Sequence, residues 1–389
     1  MQKLGVLCGT FDPIHEGHIA LAKETLRQGG LDQVILLPIA RPIHRESDVS
    51  AADRLRMCQI SVEGEDKITV SLAGMASGVR SYPDVLVPLQ RDFPHTDFTF
   101  ILGADQLPLL PYWDQSNKLF SKCSFLCFSR SGVSTAVSLD KALASGAKIT
   151  LLPSFQSPYS AAMIRAQTAQ YMDAPGVNRK VLCYMAERGL YQRDFLPKLR
   201  NMMNPHRFEH TLGVRSEAIR LADIHGLPVQ KAALAALLHD CAKGMNLKDM
   251  RKIAIEQHLT DDETILSSSA LLHAPVGAYL AQKEFGIRDA DVLNAIRSHT
   301  VGRSGMSRLE MCIFVADATE AGREEYEGLS ELRRLSSLSL PAAVYRSLQL
   351  TQEYIMKTNR TFNPSSYNTM AYLETLMTAE EKKLLADNQ

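Results

Sequence analysis

Two hydrophobic rhythms divide the chain. Up to about residue 190, short apolar runs alternate with segments of helical spacing: LGVLCG at 4–9, VILLPI at 34–39, ITVSL at 68–72, FTFILG at 98–103, SFLCFSR from Ser124 and KITLLP from Lys148. Alternation of this kind predicts a parallel, doubly wound sheet, an α/β domain of Rossmann-like architecture, with a helix starting at about His18. From Phe195 onward the strand pattern stops. Apolar residues then recur at helical spacing in TLGVRSEAIRLADIHG, KAALAALLHDCAKG, VGAYLAQKEFG, DVLNAIRSHT and LEMCIFVADATE, with Gly and Pro between the segments where helices should end. The period changes near 193–197, so an α/β domain over 1–193 and an all-helical domain over 197–389 are expected. A length of 389 residues agrees with two cores rather than one.

Composition narrows the function classes. Lys plus Arg and Asp plus Glu number 43 each, so no global field attracts nucleic acid and any phosphate-binding charge must be gathered locally. The opening MQKLGVLCGTF is too short in its apolar part for a signal peptide, and the later run AALAALL cannot span a bilayer; a soluble cytoplasmic protein without membrane or nucleic-acid partners is expected. Seven cysteines without paired CxxC units make neither a disulfide framework nor a zinc ribbon and read as reduced, mostly buried thiols. Internal repeats and low-complexity segments are absent from the sequence. The sequence leaves the oligomeric state open, a homo-oligomer included.

The first candidate site follows the first strand. In GTFDPIHEGH, Gly9 permits close backbone approach, Asp12-Pro13 turns the chain, and His15 and His18 are spaced to project toward a helix N-terminus, where unpaired N–H groups suit an anion. The string resembles the (T/H)xGH motif of the nucleotidyltransferase superfamily, in the variant of bacterial nicotinate mononucleotide adenylyltransferases. LPIARPIHR at 37–45 is similar to that family's phosphate-contacting loop, Arg54 falls at its downstream arginine, and ILGADQL followed by Trp113 is similar to its nucleotide and nicotinate segment. The resemblance implies transfer of adenylyl from ATP, with magnesium, to nicotinate mononucleotide. It implies His15 and His18 as the catalytic pair, with Gly9, Thr10, Phe11, His44, Arg45, Arg54, Gly103, Asp105, Trp113, Ser160 and Arg165 binding the substrates. Two positions depart from the family. Ser81-Tyr82-Pro83-Asp84-Val85 replaces SYTxDT, and Ser160-Ala161-Ala162-Met163-Ile164-Arg165 replaces SSTxIR. Hydroxyls are lost at Pro83, Ala161 and Ala162, and a hydrogen bond to a charged phosphate is worth about 1.5–3 kcal/mol.

The second candidate site lies in the helical half: His210, His239-Asp240, His273, His299 and Asp317 sit inside or at the ends of apolar helices. An unpaired polar group there costs about 1–3 kcal/mol, a cost metal coordination removes. A carboxylate shared by two cations about 3.5–4 Å apart is a known hydrolytic arrangement. The order His, His-Asp, His, His, Asp resembles the HD phosphohydrolase superfamily, and ALLHDCAKG, LLHAPVGAYLAQKEFG and NAIRSHTVGR resemble the YqeK-type family within it. That resemblance implies symmetrical hydrolysis of diadenosine tetraphosphate to ADP, with all six residues as ligands to two transition metals and with Asp240 and Lys243 in the catalytic machinery. Imidazole with carboxylate suits iron, manganese or zinc alike, and the resemblance implies iron. Cys241 and Cys312 read as small buried hydrophobes rather than thiolate ligands. A second reading keeps an HD hydrolase acting on another nucleotide, governed by a catalytically weak N-terminal domain that binds an NAD-like ligand.

Overall fold

The protein is described here by a computed structural model covering residues 1–41, 46–76, 78–79, 83–113, 116–128, 136–358 and 361–386. The chain divides into two compact units, Met1–Thr168 with Ala174–Tyr184, and Ala169–Asp173 with Met185–Gln389.

The first unit is built on six parallel strands: β1 (Gln2–Gly9), β2 (Gln33–Pro38), β3 (Ile68–Val70), β4 (Thr96–Gly103), β5 (Cys123–Phe128) and β6 (Lys148–Leu152), in the order β3-β2-β1-β4-β5-β6. Each coincides with one of the six apolar runs. Strands of a parallel sheet covered on both faces must be apolar at consecutive positions, and Leu4, Val6 and Leu7 of β1 and Phe100, Ile101 and Leu102 of β4 are all buried. Helices α1 (Glu16–Gln28), α2 (Ala51–Ser61), α3 (Leu86–Asp92), α4 (Ser116–Lys122), α5 (Ala136–Ala144), α6 (Ala161–Thr168) and the first part of α7 (Arg179–Arg188) complete the unit. The strand order reverses between β1 and β4, and in open α/β sheets ligands bind beyond the C-terminal strand ends at that switch point. The segment 9–18 leaves β1 there, and 103–105 leaves β4 beside it. Helix α1 starts two residues before the expected position, because the Asp12-Pro13 turn already delivers His15 in an extended conformation, at φ −148° and ψ 168°, next to Glu16.

The second unit is helical: α8 (Leu196–Met202), α9 (Pro205–Ile224), α10 (Val229–Leu238), α11 (Leu247–Glu256), α12 (Glu263–Leu266), α13 (Ser269–Phe285), α14 (Ala290–Ser298), α15 (Arg308–Thr319), α16 (Leu329–Leu338), α17 (Leu340–Lys357), α18 (Pro364–Leu376) and α19 (Ala379–Ala386). Helix α10 is its axis. All of its residues except Lys231 are buried, because a helix apolar on every side has no face to offer water. Helices α9, α14 and α15 pack directly against it. Its first turn is tied to the preceding segment through Asp173, whose carboxylate accepts from the N–H groups of Val229 at 2.9 Å and Gln230 at 2.8 Å. No helix among the described residues is long and apolar enough to cross a membrane.

Removal of a capping side chain costs about 1 kcal/mol. Asp173→Ala is therefore expected to destabilise the helical unit by about that amount, seen as a lower urea midpoint for the loss of helical circular dichroism. An unchanged midpoint would show that these two N–H groups are satisfied without Asp173.

Candidate functional site

At the end of β1, a Cβ on Gly9 would lie tightly against the Phe11 ring, at 3.0 Å. Phe11 itself adopts φ +50°, in the left-handed region. Two arginines brace the turn through its backbone. Arg54, fully buried, donates to the carbonyls of Thr10 at 2.6 Å, Ile39 at 2.9 Å and Ala40 at 2.9 Å. Arg165 donates to the carbonyl of Asp12 at 2.6 Å and pairs with Asp48 at 2.5 Å, while the Asp48 N–H donates to the Asp12 carboxylate.

His15 and His18 lie face to face, with ring centroids 3.8 Å apart and planes inclined by 32°. The backbone N–H of His15 donates to His18 Nδ1 at 3.2 Å, so the neutral His18 ring carries its proton on Nε2 and is left as a donor there. Burial lowers the pKa of His15 to about 4; burial, and then the charge of His15, lowers that of His18 to about 3. Both rings are thus uncharged near neutral pH. Gly17 between them is a matter of space, because a Cβ would lie 2.3 Å from Ser157 Oγ and 2.9 Å from His15 Nδ1. At the helix start the Glu16 N–H donates to the Gly176 carbonyl at 2.7 Å.

The remaining candidates of this unit are spread around the switch point. Gly103 ends β4, Asp105 is exposed in the turn after it, and Trp113 is partly buried against the core. Ser160 Oγ accepts from the Met163 N–H at 3.2 Å, and Ala161 and Ala162 open α6 immediately afterwards. Pro83 is buried and begins a short 3-10 turn. His44, Arg45, Ser81 and Tyr82 lie outside the described residues.

In the helical unit, five helices deliver the candidates to one place. His210 stands on α9, His239 and Asp240 at the end of α10, His273 on α13, His299 at the end of α14 and Asp317 on α15. The imidazoles form an edge-to-face chain, with centroids 5.6 Å apart for His210 and His239, 5.1 Å for His239 and His299, and 5.0 Å for His273 and His299. Three of them rest Nδ1 on a backbone carbonyl of the preceding turn: His239 on Ala236 at 2.6 Å, His273 on Ser269 at 3.2 Å and His299 on Ile296 at 2.7 Å. His210 Nδ1 lies 3.1 Å from the Glu320 carboxylate. A carbonyl or carboxylate can only accept, so each Nδ1 donates and each Nε2 presents a lone pair.

Those lone pairs meet the carboxylates. His210 Nε2 is 3.0 Å from Asp317 Oδ1, and His239 Nε2 is 3.7 Å from Asp240 Oδ1 and 3.9 Å from Asp317 Oδ1. His273 and His299 place Nε2 at 3.1 and 3.8 Å from Asp240 Oδ1 and only 3.0 Å from one another. Two lone pairs at that separation, beside a carboxylate oxygen, form an arrangement that a cation stabilises. His239 Nε2 and Asp240 Oδ1 are buried without a hydrogen-bond partner among the described residues, while Asp240 Oδ2 is held by ion-pair contacts. Two sets of ligand atoms, from His210, His239 and Asp317 and from His239, Asp240 and His299, each lie within 4.8 Å of one another. The donor set therefore fits divalent metal.

The electrostatics agree. Burial alone would raise the pKa of Asp317, but the imidazoles of His210 and His239 and the charge of Arg323 beside it outweigh burial and hold the carboxyl well below its ordinary range. Burial also works against Asp240, and His239, His273 and Lys243 overcome it. Burial pushes His239 down, and pushes His299 down to about 3, so both rings are in the neutral form that metals require. Asp240 Oδ2 faces the opposite way, toward Lys243 Nζ at 3.2 Å and Arg207 Nε at 3.9 Å. Burial pushes the Cys241 and Cys312 thiols up to about 12, and they donate to the Gly277 and Ala218 carbonyls. Sequence reasoning missed Arg207, Glu320 and Arg323, the last of which bonds the Asp317 carboxylate. A signal existed for two of them: Arg207 precedes His210 by three residues and Glu320 follows Asp317 by three, the spacing of neighbours on one helix face.

Residues 6–167 match the cytidylyltransferase-like family, and residues 207–322 match the HD domain, which implies divalent-metal binding in the helical unit. A Mycoplasma genitalium protein named "probable nicotinate-nucleotide adenylyltransferase/Ap4A hydrolase" is 26% identical over 91% of this chain and 99% of its own length. The symmetrical bis(5'-nucleosyl)-tetraphosphatase of Bacillus subtilis is 38% identical over 47% of this chain and 97% of its own length. A "probable nicotinate-nucleotide adenylyltransferase" of Gloeobacter violaceus is 30% identical over 49% of this chain and 96% of its own length. With the two sites carried on separate parts of one polypeptide, the chain belongs to the nicotinate-nucleotide adenylyltransferase family through its α/β half and to the symmetrical bis(5'-nucleosyl)-tetraphosphatase family of HD-domain proteins through its helical half.

Proposed function

We propose that this chain is a bifunctional enzyme that transfers adenylyl from ATP to nicotinate mononucleotide and hydrolyses diadenosine tetraphosphate symmetrically to ADP. The functional division is taken at 193–197. The observation that carries the hydrolase reading is the convergence of four imidazole Nε2 atoms on the buried carboxylate of Asp240 and the partly buried one of Asp317. His210, His239, Asp240, His273, His299 and Asp317 would hold two divalent ions with Asp240 shared, and iron, manganese or zinc suits that ligand set better than magnesium. Such ions supply a nucleophilic hydroxide near neutral pH and withdraw charge from the phosphate oxygens. Lys243 and Arg207, on the far oxygen of Asp240, are placed to bind a phosphate of the substrate.

In the α/β half, the chain binds and orients rather than forming a covalent intermediate. His18 donates from Nε2 to a phosphate oxygen of ATP, and His15 Nδ1, buried without a partner among the described residues, engages the same group. Neutral donors of fixed direction stabilise charge that develops on the transferred phosphoryl group. Arg54 and Arg165 act through the backbone, holding Thr10 and Asp12 so that the turn keeps its shape under the triphosphate. Ser160 and Arg165 remain to meet the magnesium complex of ATP, while Pro83, Ala161 and Ala162 contribute no hydroxyl.

His18→Ala is expected to abolish adenylyl transfer, measured with ATP and nicotinate mononucleotide, and to leave hydrolysis intact as an internal control of folding. Equal loss of both activities would refute a role confined to one site, and an unmodified chain that transfers nothing would favour the regulatory reading of this half.

The same imidazoles give the first unit an acid limit. Their folded pKa values, about 4 and about 3, lie below the ordinary 6.5, so protons bind the unfolded chain more readily. Their contribution to stability is complete above pH 6.5 and falls away as the pH drops toward 4. Urea unfolding of the first unit, followed at pH 7.5 and pH 5, is expected to show a lower midpoint at pH 5 that His15→Asn/His18→Asn diminishes.

Purified protein is expected to carry close to two transition-metal ions per chain, measured by plasma mass spectrometry, with chelation abolishing hydrolysis and iron or manganese restoring it better than magnesium. Asp240→Ala should lose both metal and hydrolysis. With diadenosine tetraphosphate, ADP should be the only nucleotide product; AMP with ATP would mean a different register of attack, and full activity in chelator would refute the metal reading.

A further inference from the structure

Of the four imidazoles in the helical cluster, three rest on neutral backbone carbonyls and one rests on a carboxylate, and this asymmetry has consequences for the two groups of ligands. We propose that Glu320 is a positioning residue which, through His210, makes the His210–His239–Asp317 group hold a divalent cation more tightly than the His239–Asp240–His299 group. The proposal rests on the metal reading given above and concerns what this chain's own residues do to the first group.

Glu320 Oε1 lies 3.1 Å from His210 Nδ1, and the residue is 3% exposed, so solvent does not screen its charge. Its other oxygen, Oε2, accepts from the Gly322 N–H. Its backbone carbonyl accepts from Arg333 at 3.1 Å. Each of these contacts restricts where the carboxylate can go. The space it fills is cut out of α9. Gly213 stands three residues after His210, and a Cβ there would lie 2.5 Å from Glu320 Oε2. Glycine in a helix interior is unfavourable relative to alanine, and the room needed by this carboxylate gives a reason for it at 213.

The chemistry follows from the acceptor. Both a carbonyl and a carboxylate fix the Nδ1–H tautomer and so aim Nε2 at a ligand site. An ionised acceptor makes the stronger hydrogen bond and draws the Nδ1 proton further, which raises the electron density on Nε2 and its strength as a donor to a cation. His273 and His299, facing one another on carbonyl supports, lack that enhancement. Glu320 also follows Asp317 by three residues at the end of α15, so the carboxylate ligand and the support of its histidine partner come from one helix end. A purely structural carboxylate, closing the end of α15 through Gly322, would be replaced without loss by its amide.

The test uses the full chain stripped of metal and titrated with Mn²⁺, with free Mn²⁺ read by electron paramagnetic resonance. The unmodified chain should bind in two steps of unequal affinity. Glu320→Gln keeps an acceptor of the same shape and removes the charge; it is expected to weaken the tighter step about 10-fold and leave the weaker step unchanged. Glu320→Ala, which removes the acceptor, and Gly213→Ala, which displaces it without touching any ligand, should weaken the tighter step further, toward about 100-fold. Should either alanine variant fail to fold, the amide variant decides the matter. An amide variant that binds Mn²⁺ as the unmodified chain does, or one in which both steps weaken alike, overturns the role of Glu320. Two equal steps in the unmodified chain overturn it as well, with the metal reading intact. No uptake of Mn²⁺ by the unmodified chain overturns the metal reading itself, and the proposal with it.

Discussion

The helical unit depends on one constraint: His239 and Asp240 end a helix that is apolar on every side. Helix α10 must lie at the centre because it has no wet face, and its last residues are therefore carried into the interior, where His239 is fully buried and Asp240 nearly so. Polar groups there must find partners, and the surrounding helices supply them. Four more polar ligand-type side chains arrive from α9, α13, α14 and α15, and each imidazole has its outer nitrogen tied off so that its inner nitrogen faces the carboxylates. The buried carboxylate Glu310 shows the same economy at one remove. Arg303 forks onto it with two bonds of 2.7 Å and Ser298 donates to it at 2.9 Å, which secures the end of α14 that presents His299.

The two units handle phosphate chemistry with opposite electrostatics. In the α/β unit, among the described residues, Arg54 and Arg165 brace backbone carbonyls and the imidazoles of His15 and His18 are held neutral by burial, so these groups offer directed dipoles. In the helical unit, charge is concentrated: carboxylates held ionised among imidazoles on one side, with Lys243 and Arg207 on the other oxygen of Asp240. A chain whose formal charge sums to zero can support both, because each field is made locally and decays within about 10 Å at ordinary ionic strength.

Much of this was legible beforehand, for reasons that can be named. The strands were readable because a strand covered on both faces must be apolar at consecutive positions, as in β1 and β4. The motif at 9–18 was readable because its chemistry is contiguous. The six candidate ligands could be singled out because several histidines and aspartates stand inside or at the ends of apolar helices, and the fold brings them together. The start of α1 was misplaced by two residues, since the periodic signal begins only after the capping residues. The partner of the Glu16 N–H, Gly176, was not legible, because it lies 160 residues away in sequence.

By itself, then, the sequence determined the class of each half, the order of the elements, and which residue types were available for chemistry, since these depend on local periodicity and contiguous motifs. Only the tertiary structure decided what each polar side chain does. Arg54 reads as a substrate-binding residue in sequence, and only the fold shows that it also donates to the carbonyls of Thr10, Ile39 and Ala40. Glu320 reads as one more acidic residue near a helix end, and the fold seats it on His210, more than 100 residues earlier, in a slot that a missing Cβ at Gly213 keeps open. Hydrogen-bond partnership and burial are properties of pairs brought together by packing, and no pattern confined to one stretch of chain specifies them.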